Sequence, residues 1–361
     1  PPLEWVLESP DHVREHRYTM VLLGTLTIFL IGLLGRRVGG DGRRGEWVGW
    51  VAAAIAAFNP NVWVNDGLVM SETVTVLAVT AALLLAFRLW DRPTIGRALA
   101  LGAMCGVAAL GRAELVLLFG LLAFVVGITC KGGFGDRSAL GVGAVAAAIA
   151  IVIPWVGFNM TRFEKPTFLS TNDGIALLGS NCDPVFYGPN TGLTSVAGPD
   201  NCLPKPPPPG DQSEVSAKYR RAAFDYMSEH KSRVGPVVLA RVGRTWSVYR
   251  PFDMTWFNVG EGREPWVTRT GIFVFYAEMI AVIGGAVVLG RRRNWREFYA
   301  LAVPVIVVTI GAAVTYGQTR FRAAAEPSLA LYAAVGIVAL MTRLREGTAT
   351  LRTDQDDSVR T

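Results

Sequence analysis

Apolar residues along this chain gather into blocks about as long as a bilayer is thick, separated by short polar turns. One long polar stretch breaks the series. A helical crossing takes about 20 residues. Blocks of that kind fall near 18–35, 47–64, 68–89, 95–111, 113–130 and 138–160, and again near 271–290, 297–316 and 324–342. In lipid the backbone must satisfy its own hydrogen bonds, so these nine blocks predict helices. The stretch 95–130 is too long for one crossing, and a split at Gly111-Arg112-Ala113-Glu114 makes it a tight hairpin. The pattern predicts an all-α polytopic membrane protein. Residues 1–160 would hold an outer-loop remnant and six transmembrane helices, 161–268 a loop domain, 269–343 three more helices, and 344–361 a disordered polar tail.

Composition agrees with a membrane class. The chain has 361 residues, 51% hydrophobic and only 18% charged, with a mean hydropathy of +0.34. A soluble domain of this size carries more charge. Arginine placement sets the orientation. Arg36, Arg37, Arg43 and Arg44 follow the first block, Arg88, Arg92 and Arg97 separate the third and fourth, Lys131 and Arg137 precede the sixth, and Arg291–Arg293 with Arg296 separate the seventh and eighth. Short cytoplasmic loops collect Lys and Arg, so these turns and the tail after Arg343 are expected inside, in the cytoplasmic membrane. The insertion 161–268, Asn59–Asp66 and Tyr316–Arg322 are then expected outside. The net charge of +6 is mostly this arginine, and it points to membrane lipids rather than nucleic acid as a partner. No phosphate-cradling loop or dinucleotide fingerprint is present, so no nucleotide cofactor is expected. No residue spacing of a zinc site occurs, and nothing in the sequence supports a divalent metal.

The four cysteines divide by location. Cys105 and Cys130 sit in or at the end of apolar blocks and read as small fillers. Cys182 and Cys202 share the outward loop, where an oxidising exterior permits a disulfide; two free thiols are the alternative. The chain begins Pro1-Pro2-Leu3 with no initiator Met, and at least one further span is expected before it.

Candidate chemistry sits at the outward helix ends. Asp66 and Glu72 flank the hairpin after Asn59-Pro60-Asn61-Val62-Trp63-Val64-Asn65. Carboxylates at membrane depth are costly and often functional, although helix capping is an equal reading for both. Arg112 and Glu114 occupy the tip of the next hairpin and either pair with each other or face an outward cavity. In Tyr316-Gly317-Gln318-Thr319-Arg320-Phe321-Arg322, two arginines stand where topology disfavours positive charge. Arginine binds phosphate oxygens bidentately, so Arg320 and Arg322 suit a lipid-linked phosphate, against the alternative of snorkelling.

Within the insertion, Ser170–Gly174 reads as a turn and Pro206–Pro209 as an extended polyproline run. Asp211-Gln212-Ser213-Glu214 is a capping box that predicts a helix, with Val215, Tyr219, Ala222, Tyr226, Met227 and His230 on one face. Pro236–Tyr249 predicts an amphipathic helix on the membrane surface, apolar through Leu239, Val242, Trp246 and Tyr249 and polar through Arg241 and Arg244.

Taken together, these motifs resemble the GT-C glycosyltransferases. The similar branch is that of the protein O-mannosyltransferases and the aminoarabinose lipid A transferase (glycosyltransferase family 39-like), in its actinobacterial form. Pro1-Pro2-Leu3 matches the His/Lys-Pro-Pro-Leu motif that ends the first outer loop there. Asn65-Asp66-Gly67 with Ser71-Glu72 matches an acidic helix start, Gly111-Arg112 the Thr/Gly-Arg hairpin, and Arg320-Phe321-Arg322 with Glu326-Pro327 the Arg-aromatic motif before a late helix. The resemblance implies transfer of a sugar, with inversion, from a polyprenyl-phosphate donor to an extracytoplasmic glycan, lipid or protein acceptor. It places donor phosphate binding on Arg320, Arg322 and Arg112, and the cavity carboxylates at Asp66, Glu72 and Glu114. The catalytic aspartate it implies lies upstream of Pro1. Two other classes compete: a transporter or lipid flippase, and a non-catalytic scaffold with an outer recognition loop.

Overall fold

The computed structural model describes residues 9–196 and 201–359, so Pro1-Pro2-Leu3 lies outside the described residues. Among these there are helices and turns and no strand. Each predicted block becomes a helix: α1 Pro10–Gly39, α2 Arg43–Phe58, α3 Glu72–Asp91, α4 Ile95–Gly111, α5 Ala113–Ile128 and α6 Phe134–Arg162. Helices α7 Asn172–Gly179, α8 Gln212–Glu229, α9 Lys231–Thr245 and α10 Asp253–Val259 occupy the insertion. Then come α11 Pro265–Arg291, α12 Trp295–Val314 and α13 Glu326–Val359.

Length divides the nine expected crossings into two groups. Six helices are long and apolar enough to span a membrane, whereas α4 and α5 are shorter apolar helices and α2 has 16 residues. At 1.5 Å per residue a helix of that length covers about 24 Å, short of the roughly 30 Å hydrocarbon core. The three short helices are packed against long ones. α2 lies along α1, and α4 crosses α6 at Gly102, where the backbone of Ala144 leaves no room for a Cβ. The polar segment expected as a disordered tail continues α13 as helix to Val359.

The arginine-bearing turns converge on one end of the bundle. Arg37, at the end of α1, donates to Asp91 of α3 (2.8 Å from Nε) and lies 3.5 Å from Glu297 of α12. Arg296 donates to the carbonyl of Thr129 between α5 and α6 (3.1 Å).

The insertion sits at the opposite end as a small helical cap. One apolar cluster gathers Val185, Phe186, Leu193, Val237 and Met254, and a second gathers Leu178, Tyr219 and Ala223. The Asp211 box is present: Asp211 accepts from the Glu214 N–H (2.9 Å) and Glu214 from the Asp211 N–H (3.2 Å). The Ser213 hydroxyl and the backbone N–H groups of Glu164 and Glu214 hold the Asp211 carboxyl down at about 2. Of the expected α8 face, Tyr219 is buried, but Ser213, Ser216 and Ala223 share the interior with it.

Helix α9 reverses the sequence expectation. Leu239 is 74% exposed, while Arg241 and Arg244 are buried at 2% and 0%. Their guanidinium groups point into the cap because that is where unpaired acceptors are. Arg241 donates to Ser180 O, to Asn181 Oδ1 and to Ala313 O at the end of α12. Arg244 donates to Thr191 O and Pro189 O. Burial pushes Arg241 down to about 10. Buried charge is tolerated only with such partners, so Arg241 pins the cap to the bundle, Arg244 ties together loops of the cap, and neither forms a polar face toward water.

Cys182 and Cys202 are joined by a disulfide, 20 residues apart, at the edge of the first cap cluster; Cys105 and Cys130 are buried and free. Closing a loop of that length is worth about 3 kcal/mol. Cys202→Ser is therefore expected to speed limited proteolysis of the cap while the bundle resists. Equal cleavage rates for the two proteins would count against a stabilising bridge.

Candidate functional site

Between the cap and the upper ends of α3, α4, α5 and α12 lies a cavity of about 1090 Å³. Its floor is set by three chain breaks. α4 stops at Gly111, because Arg112 turns to extended backbone; α3 starts at Glu72; and α12 ends at Val314 before the tight 3-10 turn Thr319–Ala325. The Ser71 hydroxyl donates to Gly111 O (3.0 Å) and locks the first two breaks together.

These breaks bring four of the predicted residues to one wall. Glu72 is 3% exposed and bridges two arginines: Arg112 Nη1 donates to its Oε1 (3.1 Å), and Arg320 Nε lies 3.4 Å from the same oxygen. Arg112 also donates through Nε to Glu114 Oε1 (2.6 Å) and lies over the Phe321 ring at 4.4 Å. Glu114 fits because residue 311 is glycine; a Cβ there would meet the Glu114 side chain at 3.0 Å. Arg320 pairs with Glu261 on the cap (3.0 Å), and its Nε and Glu261 Oε2 are buried without a hydrogen-bond partner. Three carboxylates thus face two guanidiniums. Glu261 belongs to the cap and not to the bundle, so this ion pair joins the two.

The rest of the cavity is apolar, through Leu110, Leu117, Trp155, Leu169, Ile310 and Val314. Asp173 of α7 adds a carboxylate at the cap side, held by Ser216 (2.8 Å) and Arg220 (2.6 Å). Tyr316 also lines it, and burial pushes its phenol up. The site therefore combines a long greasy wall with a charged end.

Arg322 and Asp66 are placed elsewhere. Arg322 is 1% exposed, donates to Glu326 (2.7 Å) and to Ser247 Oγ (3.3 Å), and covers the Phe275 ring at 3.8 Å. A 3-10 turn rotates about 120° per residue, so residues 320 and 322 cannot share a face, and the expected pair of phosphate ligands is divided. Asp66 packs against Gly24 of α1 and accepts from the Thr73 hydroxyl (2.8 Å). Burial raises its carboxyl to about 6. Its neighbour Asn65 is 1% exposed and accepts from Arg263 at the end of the cap (3.0 Å), so this motif anchors chain rather than lining the cavity.

Two participants were missed. Glu261 lies in an unremarkable Gly260-Glu261-Gly262 turn, and no sequence signal marks it. Glu278 stands inside the apolar run of α11, against the expectation that charges collect at helix ends; it accepts from Asn59 (3.0 Å), which also reaches Glu326 (3.3 Å). That lone carboxylate was visible in the sequence. No family, no characterised protein and no solved structure matches the chain.

Asp66 supplies a pH test. Its folded value of about 6 lies above the unfolded value of about 3.9. The folded state binds the extra proton between these values, so stability falls as pH rises through that window. Asp66→Asn is expected to raise the melting temperature at pH 8, with the gain shrinking toward pH 4. A difference independent of pH would refute the buried-carboxyl explanation.

Proposed function

We propose that this protein is a membrane glycosyltransferase that takes a sugar from a polyprenyl-phosphate donor and moves it to an acceptor outside the cytoplasmic membrane. The observation that carries this reading is the cavity wall itself: Arg320 and Arg112, preset by their shared carboxylate Glu72, at the head of an apolar trough that a prenyl chain fits. The arginines would stabilise negative charge as it gathers on the departing lipid phosphate. Because Glu72 already holds them, little reorganisation is needed when that charge develops. The acceptor hydroxyl requires a base, and the resemblance to the GT-C enzymes puts that aspartate upstream of Pro1. Glu114, Glu72 and Asp173 line the same space and would polarise or position the acceptor.

Orientation belongs to the same proposal. The arginine-rich end is cytoplasmic by the positive-inside tendency, so the cap and the cavity face outward, where lipid-linked sugars are used. Reporter fusions at Gly210 and Thr361 are expected to report opposite sides of the membrane. Equal sidedness would overturn the topology.

One observation favours a transporter instead. Glu278 is buried within a helix of membrane-spanning length beside Glu326, and intramembrane carboxylates commonly serve ion coupling. An assay of sugar transfer separates the readings, since a transporter leaves the lipid-linked sugar uncleaved.

Radiolabelled polyprenyl-phosphate sugars, offered to membranes expressing the complete open reading frame, test the enzyme reading. Charge-assisted contacts are worth roughly 1.5–3 kcal/mol, so Arg320→Ala is expected to reduce donor-dependent transfer about tenfold to a hundredfold. Arg320→Lys should fall between, keeping charge and losing the bidentate fork. Arg322→Ala should instead reduce folded protein, because breaking a buried pair costs about 3–5 kcal/mol. Unchanged turnover in folded Arg320→Ala protein would remove the phosphate role.

A further inference from the structure

We infer a second lipid site, on the arginine-rich end of the bundle and independent of the proposed transfer. Helices α11 and α13 approach most closely where Gly285 and Gly336 meet; a Cβ on Gly336 would run into the carbonyl of Ala281. Beside this seam lies an open groove of about 860 Å³. Its walls are apolar, through Ala277, Ile280, Gly284 and Val287 of α11 and Ile337 and Leu340 of α13. Ile280 is 77% exposed and Leu340 58% exposed, so none of the described residues covers them.

The groove has a definite end. Arg44 of α2, Arg291 and Arg292 of α11 and Arg343 of α13 ring its mouth, with Glu346 the one acidic residue beside them. Glu346 has a partner of its own. Among the described residues, none of the four arginines makes an ion pair, in contrast to Arg37 on the same end and to Arg112, Arg244, Arg320 and Arg322 at the other. From Ala277 to Arg292 the helix rises about 22 Å, which exceeds the roughly 15 Å depth of one hydrocarbon leaflet.

A groove more than one leaflet deep, apolar along its length and closed by four guanidiniums without ion pairs among the described residues, matches a lipid with acyl chains and a multiply charged head. Snorkelling alone would leave arginines scattered around the bundle edge; here helices from three parts of the sequence bring them to one mouth. Basic pockets between membrane helices at a charged leaflet select phosphate-rich head groups. The occupant is an anionic glycerophospholipid carrying two phosphates, resident in the leaflet on this end. One guanidinium fork per phosphate oxygen pair suits two phosphates better than one.

Native mass spectrometry of the purified full chain in detergent tests this with three probes: cardiolipin, phosphatidylcholine of the same acyl chains, and inorganic pyrophosphate. Cardiolipin should be retained at least about tenfold better than phosphatidylcholine, and pyrophosphate should not displace it. The variant Arg292→Gln/Arg343→Gln should lose about tenfold or more of that retention, since each basic residue near the head group contributes. Gly284→Leu fills the groove, and its Cβ meets nothing nearer than the Gly336 Cα at 3.9 Å, so it should fold and also lose the lipid. Equal retention of the two lipids overturns the site outright, even if a variant fails to fold. Loss in the arginine variant with full retention in Gly284→Leu would mean surface charge without a groove, and displacement by pyrophosphate would mean a free-anion site; either result refutes the proposal.

Discussion

A guanidinium removed from water must find oxygen partners, and that requirement fixes how the two halves of this protein meet. Arg241, Arg244, Arg263 and Arg322 are all nearly fully buried at the junction of cap and bundle. Distant residues hold each of them: Ser180 and Ala313 hold Arg241, Thr191 and Pro189 hold Arg244, Asn65 holds Arg263, and the Ser247 hydroxyl holds Arg322, which also pairs with Glu326 one helical turn on. Such pairs give modest net stability, because desolvation offsets most of their attraction. Their consequence is geometric. A cap shifted by one turn would strand several buried charges at once, so few other arrangements are accessible.

The cavity is a product of that fixed arrangement. It lies where α4 and α12 end, under a cap that cannot slide. Its charged wall is drawn from several chain breaks, Glu72, Arg112, Glu114 and Arg320 of the bundle, and Glu261 of the cap pairs with Arg320 behind it. Glu72 binds both arginines and Glu261 binds only one. The inner pair is thus held rigidly, while the outer contact depends on the position of the cap.

The two ends of the bundle use arginine in different ways. At the cap end the side chains are buried and paired, and they act as pins and as the head of the cavity. At the opposite end most are exposed, and none of Arg44, Arg291, Arg292 and Arg343 makes an ion pair among the described residues. Charge left unpaired beside an apolar groove interacts with whatever the membrane supplies. The distinction follows from neighbours, since both sets flank helices of similar composition.

The sequence by itself determined the helices. Runs of apolar residues near bilayer length, broken by Gly111-Arg112 and by arginine-rich turns, dictated every long element, because lipid permits little else. The capping box at Asp211 was equally legible, as a purely local hydrogen-bond exchange. The sequence also marked Arg112, Glu114, Glu72 and Arg320 as charges at one end. Only the tertiary structure decided which of them meet. It set Arg322 behind Arg320 through the tightness of a 3-10 turn, sent Asp66 to Gly24, and drew Glu261 in from a featureless loop. It also turned α9 over. A helical wheel ranks faces by hydrophobicity, and on that measure Arg241 and Arg244 belong outside; the cap buries them because its own loops leave carbonyls unpaired, and the position of those carbonyls is a property of the folded chain alone.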